Sequence, residues 1–306
     1  MFEFLIPGYL KRFAAFKEEF ISGDSPEKRE ILKKKINPFI LRRLKSQVLS
    51  ELPPKTAIDQ FVDLHDGQKE LYISLVNTFR EELSSIEKND LFNKSRMEIF
   101  SILTRLWKIC CHPSLIGLDD GKRYTSVKFE LLDELVSEAH SGGHRIVLFS
   151  QFTSMLGIIA EHLREQEISY EYLDGNTRNR MARIDNFNNN SDIGFFLVSL
   201  KAGGTGLNLT EADTVILYDP WWNPAVENQA IDRVHRLGQK KAVSAYRLIT
   251  RGTIEEKIYE LQKFKKELSD SLIGEKTTLR KMTIDDVREL ISIRIKKHTP
   301  RIFKKV

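Results

Sequence analysis

The second half of the chain alternates short apolar segments with amphipathic ones, and no other feature constrains its fold as strongly. From about Ser126 onward, five apolar segments are predicted strands: RIVLFS (145–150), YEYL (170–173), GFFLVS (194–199), TVILY (214–218) and VSAYRLI (243–249). Strands that are apolar throughout are buried on both faces, and the helical segments between them favour parallel pairing. The sequence therefore predicts an α/β fold, with helices on both faces of a parallel sheet and functional loops at the carboxyl ends of the strands.

The chain up to about Ser50 has a helical pattern instead. A helix start is predicted at Ser25-Pro26 and an interruption at Pro38, because proline is accepted in the first turn of a helix and breaks its interior. The run ELPPKT (51–56) stops this pattern, and AIDQFVDL (57–64) is typical of one strand.

Two long helices are predicted between that strand and the sheet segments, and together they indicate an inserted helical hairpin. The first begins after Asp66 and the second ends before His112. Apolar residues recur at helical spacing in both. These stripes are Leu71, Leu75, Phe79, Leu83 and Ile86 in the first helix, and Met97, Phe100, Leu103, Trp107 and Cys110 in the second.

Charge and cysteine content limit the class of protein. The 306 residues carry a net charge of +5, which is compatible with a polyanionic partner. The last sixteen residues hold six Lys or Arg and no acid, a pattern that a solvated tail and a phosphate contact explain equally well. The only cysteines, Cys110 and Cys111, are adjacent, which is unsuited to an ordinary disulfide and indicates a reducing compartment. No apolar run reaches the length of a membrane span, so we expect an intracellular protein without a membrane partner.

A glycine-rich loop, LKAGGTGLNLT (200–210), follows the third of the predicted strands. Gly204 and Gly206 fit the first part of a dinucleotide fingerprint, but Leu209 stands at the third glycine position. Two interpretations stay open: a tight turn, or a loop whose backbone amides approach a phosphate.

Two adjacent tryptophans lie between prolines in PWWNP (220–224), after the fourth predicted strand. Two neighbouring indoles in a turn are difficult to bury together. We therefore expect one of them to be a stacking platform or a domain contact.

The segment QAIDRVHRLGQ (229–239) is predicted to continue a helix that begins at Pro224 and closes at Gly238. Helical spacing puts Gln229, Arg233 and Arg236 on one stripe, and Ala230, Val234 and Leu237 on an apolar one. The two arginines are either an exposed basic face or the cations that neutralise a phosphoryl group during its transfer.

The sequence has no P-loop to hold the nucleotide that such arginines would serve. The nearest candidate, GLDDGKR (117–123), has one residue too few between its glycines and an Arg in place of Ser or Thr. LLDELV (131–136) imitates an apolar strand that ends in acids, but its apolar residues recur at helical spacing, which predicts a helix.

Taken together, these segments resemble the second half of a helicase-superfamily-two motor of the Swi/Snf type, the family of double-stranded DNA translocases. RIVLFSQF resembles motif IV, SLKAGGTGLNLT motif V, YDPWWNP the adjoining tryptophan motif and QAIDRVHRLGQ motif VI, while YLDGNT and GTIEEKI fall at the expected places. NPFILRRLKSQVLSELPPKT resembles the segment that joins the two lobes, and WKICCHP the end of the helical insertion in the second. The resemblance covers about residues 30–270 in order.

The resemblance implies a RecA-like lobe that closes on ATP and Mg²⁺ held mainly by a first lobe. Arg233 and Arg236 match the arginine fingers, Gln229 a nearby polar contact, and Gly204 and Gly206 the nucleotide-binding part of motif V. It follows that the isolated chain is expected not to hydrolyse ATP.

The same resemblance implies double-stranded DNA as a partner, contacted mainly through its backbone. Ser150, Gln151, Lys201 and Trp221 match the positions near the DNA track. Departures from the family pattern at Val234 and Leu237 exchange one apolar residue for another. A non-catalytic basic module that binds DNA is the alternative interpretation.

The resemblance also suggests how the chain is organised. We expect the helical end of a first lobe and a linker in residues 1–60, a helical protrusion in 61–125, a second RecA-like lobe in 126–253, and a brace helix with a basic tail in 254–306. We expect the sequence to be part of a longer protein, with its own N-terminal lobe as a partner. Its motif residues are closer to those of the bacterial branch of the family. We therefore expect the protein at the nucleoid if the source is a bacterium, or in the nucleus if it is a eukaryote.

Overall fold

The computed structural model describes residues 6–22, 25–39, 52–89, 91–92, 94–117, 125–204, 206–268 and 283–292. The chain forms two compact units, residues 1–51 and 52–306. Most of the predicted inter-lobe segment, the P-loop-like run and most of the basic tail lie outside the described residues.

The first unit is helical, as predicted. It contains α1 (Phe13–Phe16), which continues as a π-helical turn to Ser22, and α2 (Pro26–Ile36). The Ser25 hydroxyl accepts a hydrogen bond from the Lys28 amide at 3.3 Å, so Ser25 caps α2 and Pro26 occupies its first turn. The helix start at Ser25-Pro26 is therefore confirmed, and a 3₁₀ turn replaces the α-helix at Pro38.

The second unit is built on a six-stranded sheet whose strands all run parallel. The strands are β1 (Lys55–Val62), β2 (Ile146–Ser150), β3 (Tyr170–Leu173), β4 (Phe195–Ser199), β5 (Thr214–Leu217) and β6 (Val243–Thr250). Their order across the sheet is β1-β6-β5-β2-β4-β3. The five predicted strands are confirmed, and AIDQFVDL contributes to the edge strand β1, across the sequence boundary expected after residue 60.

Helices cover both faces of this sheet, which confirms the predicted α/β class. The helices are α3 (Asp66–Lys88), α4 (Arg96–Cys111), α5 (Val127–Ser141), α6 (Thr153–Glu165), α7 (Arg180–Asn189), α8 (Pro224–Ile231), α9 (Ile254–Leu268) and α10 (Ile284–Leu290). Successive residues of each strand enter opposite cores: in β2, Ile146 and Leu148 join one, and Val147 and Phe149 the other. The first core is shared with α3–α6, α9 and α10, and the second with α7 and α8. LLDELV lies in α5, so its helical prediction is confirmed.

The helical hairpin exists, and its predicted stripes are confirmed in part: Leu103, Trp107 and Cys110 of α4 are buried as predicted. Tyr72 and Val76 fill the core beside Phe79 in α3, so the buried face is rotated from the predicted one. Met97, at the start of α4, is 79% exposed, because the stripe extends beyond the part of α4 that reaches the core. None of the described helices is both long and apolar enough to cross a bilayer.

Candidate functional site

The turns that follow β2, β4 and β5 meet at one edge of the sheet because these three strands are neighbours. Strand β2 lies between β5 and β4, and all three end at the same edge. Beyond the strands, the Leu200 amide donates to the Ser150 carbonyl at 2.9 Å, and the Tyr218 amide donates to the Phe149 carbonyl at 3.0 Å. The expectation that these loops share the carboxyl edge of the sheet is confirmed.

The glycine-rich loop turns tightly against β2. Ala202–Gly204 forms a 3₁₀ turn in which a β-carbon on Gly203 would lie 3.0 Å from the Phe149 ring. Gly206 has a φ of +61°, a conformation that favours glycine. Lys201 is exposed at the start of this turn. The close approach of Gly203 and the positive φ of Gly206 support the tight-turn interpretation. The loop follows the carboxyl end of β4, so the phosphate interpretation stays open as well.

The two arginines do not lie on a helix, so the predicted common stripe is wrong. Helix α8 ends at Ile231, and Arg233 and Arg236 belong to the turns that follow. Gln229 is exposed on the last turn of α8, Arg233 is half-buried and Arg236 is exposed. Leu237, which the apolar stripe was expected to bury, is 67% exposed.

Tertiary hydrogen bonds explain why the helix stops early. The Arg233 carbonyl accepts from the Leu209 amide at 3.1 Å, in the glycine-rich loop. The Val234 carbonyl accepts from the side-chain amide of Gln239 at 3.3 Å, and the same nitrogen donates to the Ala212 carbonyl at 2.7 Å. These carbonyls thus have partners other than the amides of a continuing helix. The arginine segment is instead fastened to the glycine-rich loop.

Both tryptophans are buried, so neither is an open stacking platform, and of the two expectations the domain contact remains. Trp221 and Trp222 are each 6% exposed. Trp107 of α4 covers them, with ring centroids 6.4 Å from Trp221 and 5.6 Å from Trp222. A residue from the helical hairpin therefore buries both indoles, and the structure does not support direct DNA contact by Trp221.

A buried carboxylate that the sequence interpretation missed holds the tryptophan loop. Glu227 of α8 is fully buried and accepts from the Trp221 amide at 2.7 Å and from the Gln262 side chain at 2.8 Å. Its other oxygen pairs with Arg247 of β6 at 2.8 Å. A single acid among the apolar residues of a short helix was the one available signal.

A second missed carboxylate, Asp219, joins the ends of β5 and β2. It accepts from the Ser150 hydroxyl at 2.5 Å and from the Gln151 amide at 2.9 Å. Ser150 is fully buried, and its hydroxyl holds the turn through this hydrogen bond. Gln151 is half-buried, and its side-chain nitrogen has no hydrogen-bond partner among the described residues. A buried donor without an acceptor is costly, which favours a ligand contact at this position.

The exposed cationic side chains fit anionic ligands, but they do not share one edge of the sheet. Lys201 follows the carboxyl end of β4, whereas the segment of Arg236 lies near the start of β1, where the His235 ring nitrogen is 2.8 Å from the Pro53 carbonyl. A guanidinium suits phosphate oxygens because it donates two parallel hydrogen bonds. No group of three or more potential metal ligands, such as would hold Mg²⁺, occurs among the described residues.

Comparisons with known proteins agree with this arrangement. The model of the helicase conserved C-terminal domain matches residues 127–238, and that of the SNF2-related domain matches residues 1–115. An uncharacterized ATP-dependent helicase of Mycoplasma pneumoniae is 37% identical over 94% of this chain and 28% of its own length.

Two solved structures from Sulfolobus solfataricus are also similar. The SWI2/SNF2 ATPase C-terminal domain is 30% identical with a TM-score of 0.63, over 79% of this chain and 100% of the domain. The SWI2/SNF2 ATPase core in complex with dsDNA is 33% identical with a TM-score of 0.67, over 96% of this chain and 63% of that core. The chain spans about a quarter of the length of the curated relatives that it matches.

Proposed function

Because the chain belongs to the Snf2-type family of helicase superfamily two, we propose that it forms the second RecA-like half of a motor that moves along double-stranded DNA. The family consists of helicase-like, DNA-dependent ATPases. In this proposal Arg233 and Arg236 are the arginine fingers, and Gln229, Gly204 and Gly206 lie near the nucleotide.

The observation that carries the proposal is the link between the glycine-rich loop and the arginine segment. The hydrogen bond from the Leu209 amide to the Arg233 carbonyl joins the two segments directly. Arg236 is exposed on the second of them, so its guanidinium is accessible to a phosphate that comes from outside the lobe. An arginine that stabilises the transferring phosphoryl group raises turnover by roughly 10³–10⁵-fold.

The remaining parts of the ATP site are proposed to come from a first RecA-like lobe. A P-loop and an acidic residue for Mg²⁺ would cradle the phosphates there, while this chain closes over them with its arginines. We assign residues 1–60 to the end of that lobe and the linker, 61–125 to the helical insertion, 126–253 to the second lobe, and 254–306 to the brace helix and tail. The chain alone is then inactive, because it holds only one side of the nucleotide.

DNA is proposed to lie across the ends of β2 and β4. Lys201 is exposed at this edge, and Gln151 offers a side-chain donor beside it. Both would read the phosphate backbone, which positions a protein without selecting a sequence. The Sulfolobus core that resembles this chain is bound to dsDNA. The site of action would be the nucleoid of a bacterium or the nucleus of a eukaryote.

ATP hydrolysis measured on two proteins tests this function. One is the chain alone, and the other joins the chain to a first lobe that carries a P-loop. We expect turnover only in the joined protein, with stimulation by duplex DNA. Substantial turnover by the chain alone, abolished by Arg233→Ala, would overturn the proposal.

The net charge of +5 favours a second candidate, a basic module that binds duplex DNA without chemistry. Salt-dependent DNA affinity does not separate the two candidates, since both predict it. Turnover by the joined protein does separate them. If it binds DNA and ATP but never hydrolyses ATP, the binding module is the better account.

A further inference from the structure

The carboxylate of Asp219 connects two strands at the edge that we assign to DNA. It is fully buried after the end of β5, and both groups that it accepts from, the Ser150 hydroxyl and the Gln151 amide, follow or end β2. The Ser150 oxygen in turn accepts from the Phe152 amide at 3.1 Å. Three consecutive residues of the turn after β2 therefore depend on one side chain from the neighbouring strand.

A buried ion pair lies beneath this carboxylate. Lys128 of α5 donates to Glu255 of α9 at 2.7 Å and to the Tyr218 carbonyl at 2.7 Å, and both members of the pair are fully buried. Glu255 also accepts from the Thr250 amide at 3.0 Å. The two charges neutralise each other, and the pair binds backbone groups at the ends of β5 and β6. Asp219 is therefore a further buried carboxylate outside this ion pair.

The pKa of Asp219 depends on its burial and on groups from the elements packed against it. Burial raises its pKa to about 7, while the hydrogen bonds from Ser150 and Gln151 and the charge of Lys128 act in the opposite direction and the charge of Glu255 raises it further. Burial also raises the pKa of Cys111 on α4 and that of Tyr218. Both of those groups therefore stay neutral near pH 7, and the charge that changes there is that of Asp219.

We propose that Asp219 is a positioning residue that fixes the turn carrying Gln151 in the geometry required for contact with the DNA backbone. The inference rests on the proposed function for the role of that turn. Its structural part is independent, because it concerns how one carboxylate holds three residues. The two oxygens of Asp219 accept hydrogen bonds from the Ser150 hydroxyl and the Gln151 amide, and burial favours the protonated form of the group. Ionisation of this buried carboxyl group therefore makes the turn less stable.

Hydrogen exchange of the Gln151 amide tests this role without DNA or ATP. From about pH 6 to about pH 8, after correction for the intrinsic exchange rate, we expect the protection of this amide in wild type to fall about tenfold relative to Asp219→Asn, which cannot ionise. Burial favours the protonated carboxyl group in the closed turn, so ionisation promotes opening. A purely structural role would not produce this dependence on pH.

Asp213→Asn is the matched control. Asp213 is also a buried carboxylate, but it precedes β5 at the opposite edge of the sheet, where it pairs with Lys241 and His144. It should leave the Gln151 amide unchanged. An unchanged ratio of protection between wild type and Asp219→Asn from about pH 6 to about pH 8 would overturn the proposal, as would the same change of ratio with Asp213→Asn.

The affinity for a short duplex, measured by fluorescence anisotropy, connects the turn to its ligand. From about pH 6 to about pH 8, the affinity of wild type should fall about fivefold relative to that of Asp219→Asn. An unchanged ratio of affinities, in spite of the change in hydrogen exchange, would overturn the DNA part of the inference. Failure of the wild-type chain to bind any duplex would speak against the proposed function, while hydrogen exchange would still decide the role of Asp219.

Discussion

The backbone amide of Leu209 donates a hydrogen bond of 3.1 Å to the carbonyl oxygen of Arg233. It fastens the loop after β4 to the segment after α8, and Gln239 makes a second connection by donating to the Ala212 carbonyl. A displacement of either segment is therefore transmitted to the other. The exposed Lys201 and Arg236, assigned to DNA and nucleotide, are thus carried by two segments that are joined directly.

The second of these connections makes Gln239 important for stability. Gln239→Ala removes the donor to two carbonyl groups in a buried position, and we expect the free energy of unfolding to fall by about 1–3 kcal/mol. Gln229→Ala, at an exposed site on α8, should change it by less than about 0.5 kcal/mol. Urea denaturation of both variants checks the difference, and equal losses would contradict the buried role of Gln239.

Glu227 should be far more sensitive than an exposed glutamate. Glu227→Ala leaves the Trp221 amide and the Gln262 side chain without their acceptor and removes a partner of Arg247. Breaking such a buried pair costs about 3–5 kcal/mol. Glu260→Ala breaks only a half-exposed pair with Lys257, for which we expect a cost of less than about 1 kcal/mol. Thermal unfolding of the two variants distinguishes them, and similar melting temperatures would contradict the role of Glu227 in holding the tryptophan loop.

The strands were predictable from sequence because burial on both faces requires an uninterrupted apolar run. The conformation of the arginine segment was not predictable, although its sequence has helical periodicity. The Arg233 carbonyl accepts a hydrogen bond from the amide of Leu209, which is distant in sequence, and no local pattern indicates that partner. Residue types thus identified these arginines as candidates, and the tertiary hydrogen bonds determined their conformation.

The tryptophans and the buried charges illustrate the same limit. Trp107 covers Trp221 and Trp222 from a helix more than a hundred residues earlier, so the sequence around the two indoles could not predict their burial. Lys128 and Glu255 are 127 positions apart. Glu255 lies in the segment GTIEEKI, but nothing in that segment indicates Lys128 as its partner. Their pairing follows only from the packing of α5 and α9 on one face of the sheet.

Asp219 should also give the folded protein a distinctive dependence on pH. Its pKa is about 7 in the folded state, against an ordinary value of 3.8, so between these values the folded protein binds a proton that the unfolded chain does not. Its contribution to the free energy of unfolding therefore falls as pH rises through this window. Asp219→Asn cannot ionise, so relative to wild type it should gain up to about 4 kcal/mol from the bottom of the window to the top. Urea denaturation across this range measures the gain, and parallel curves would contradict it.

Lys201 should contribute to DNA affinity through charge alone. Lys201→Ala is expected to weaken duplex binding to a similar extent for all sequences and to reduce the salt slope by about 1, as the loss of one phosphate contact does. Lys88→Ala, at the exposed end of α3 in the helical hairpin, is the control and should leave both quantities unchanged. Binding titrations at several salt concentrations check this, and an unchanged slope in Lys201→Ala would remove Lys201 from the DNA interface.

The most direct test of the account is single-turnover ATP hydrolysis by the joined, two-lobed protein carrying Arg236→Ala. With ATP and duplex DNA bound, we predict a rate lower by roughly 10³-fold or more, with DNA affinity and stability close to wild type, because Arg236 is exposed and acts only on the transferring phosphoryl group. Arg105→Ala, an exposed arginine on α4, should hydrolyse ATP like wild type. A rate for Arg236→Ala equal to that of Arg105→Ala would contradict the claim that this chain supplies the arginines of the ATP site.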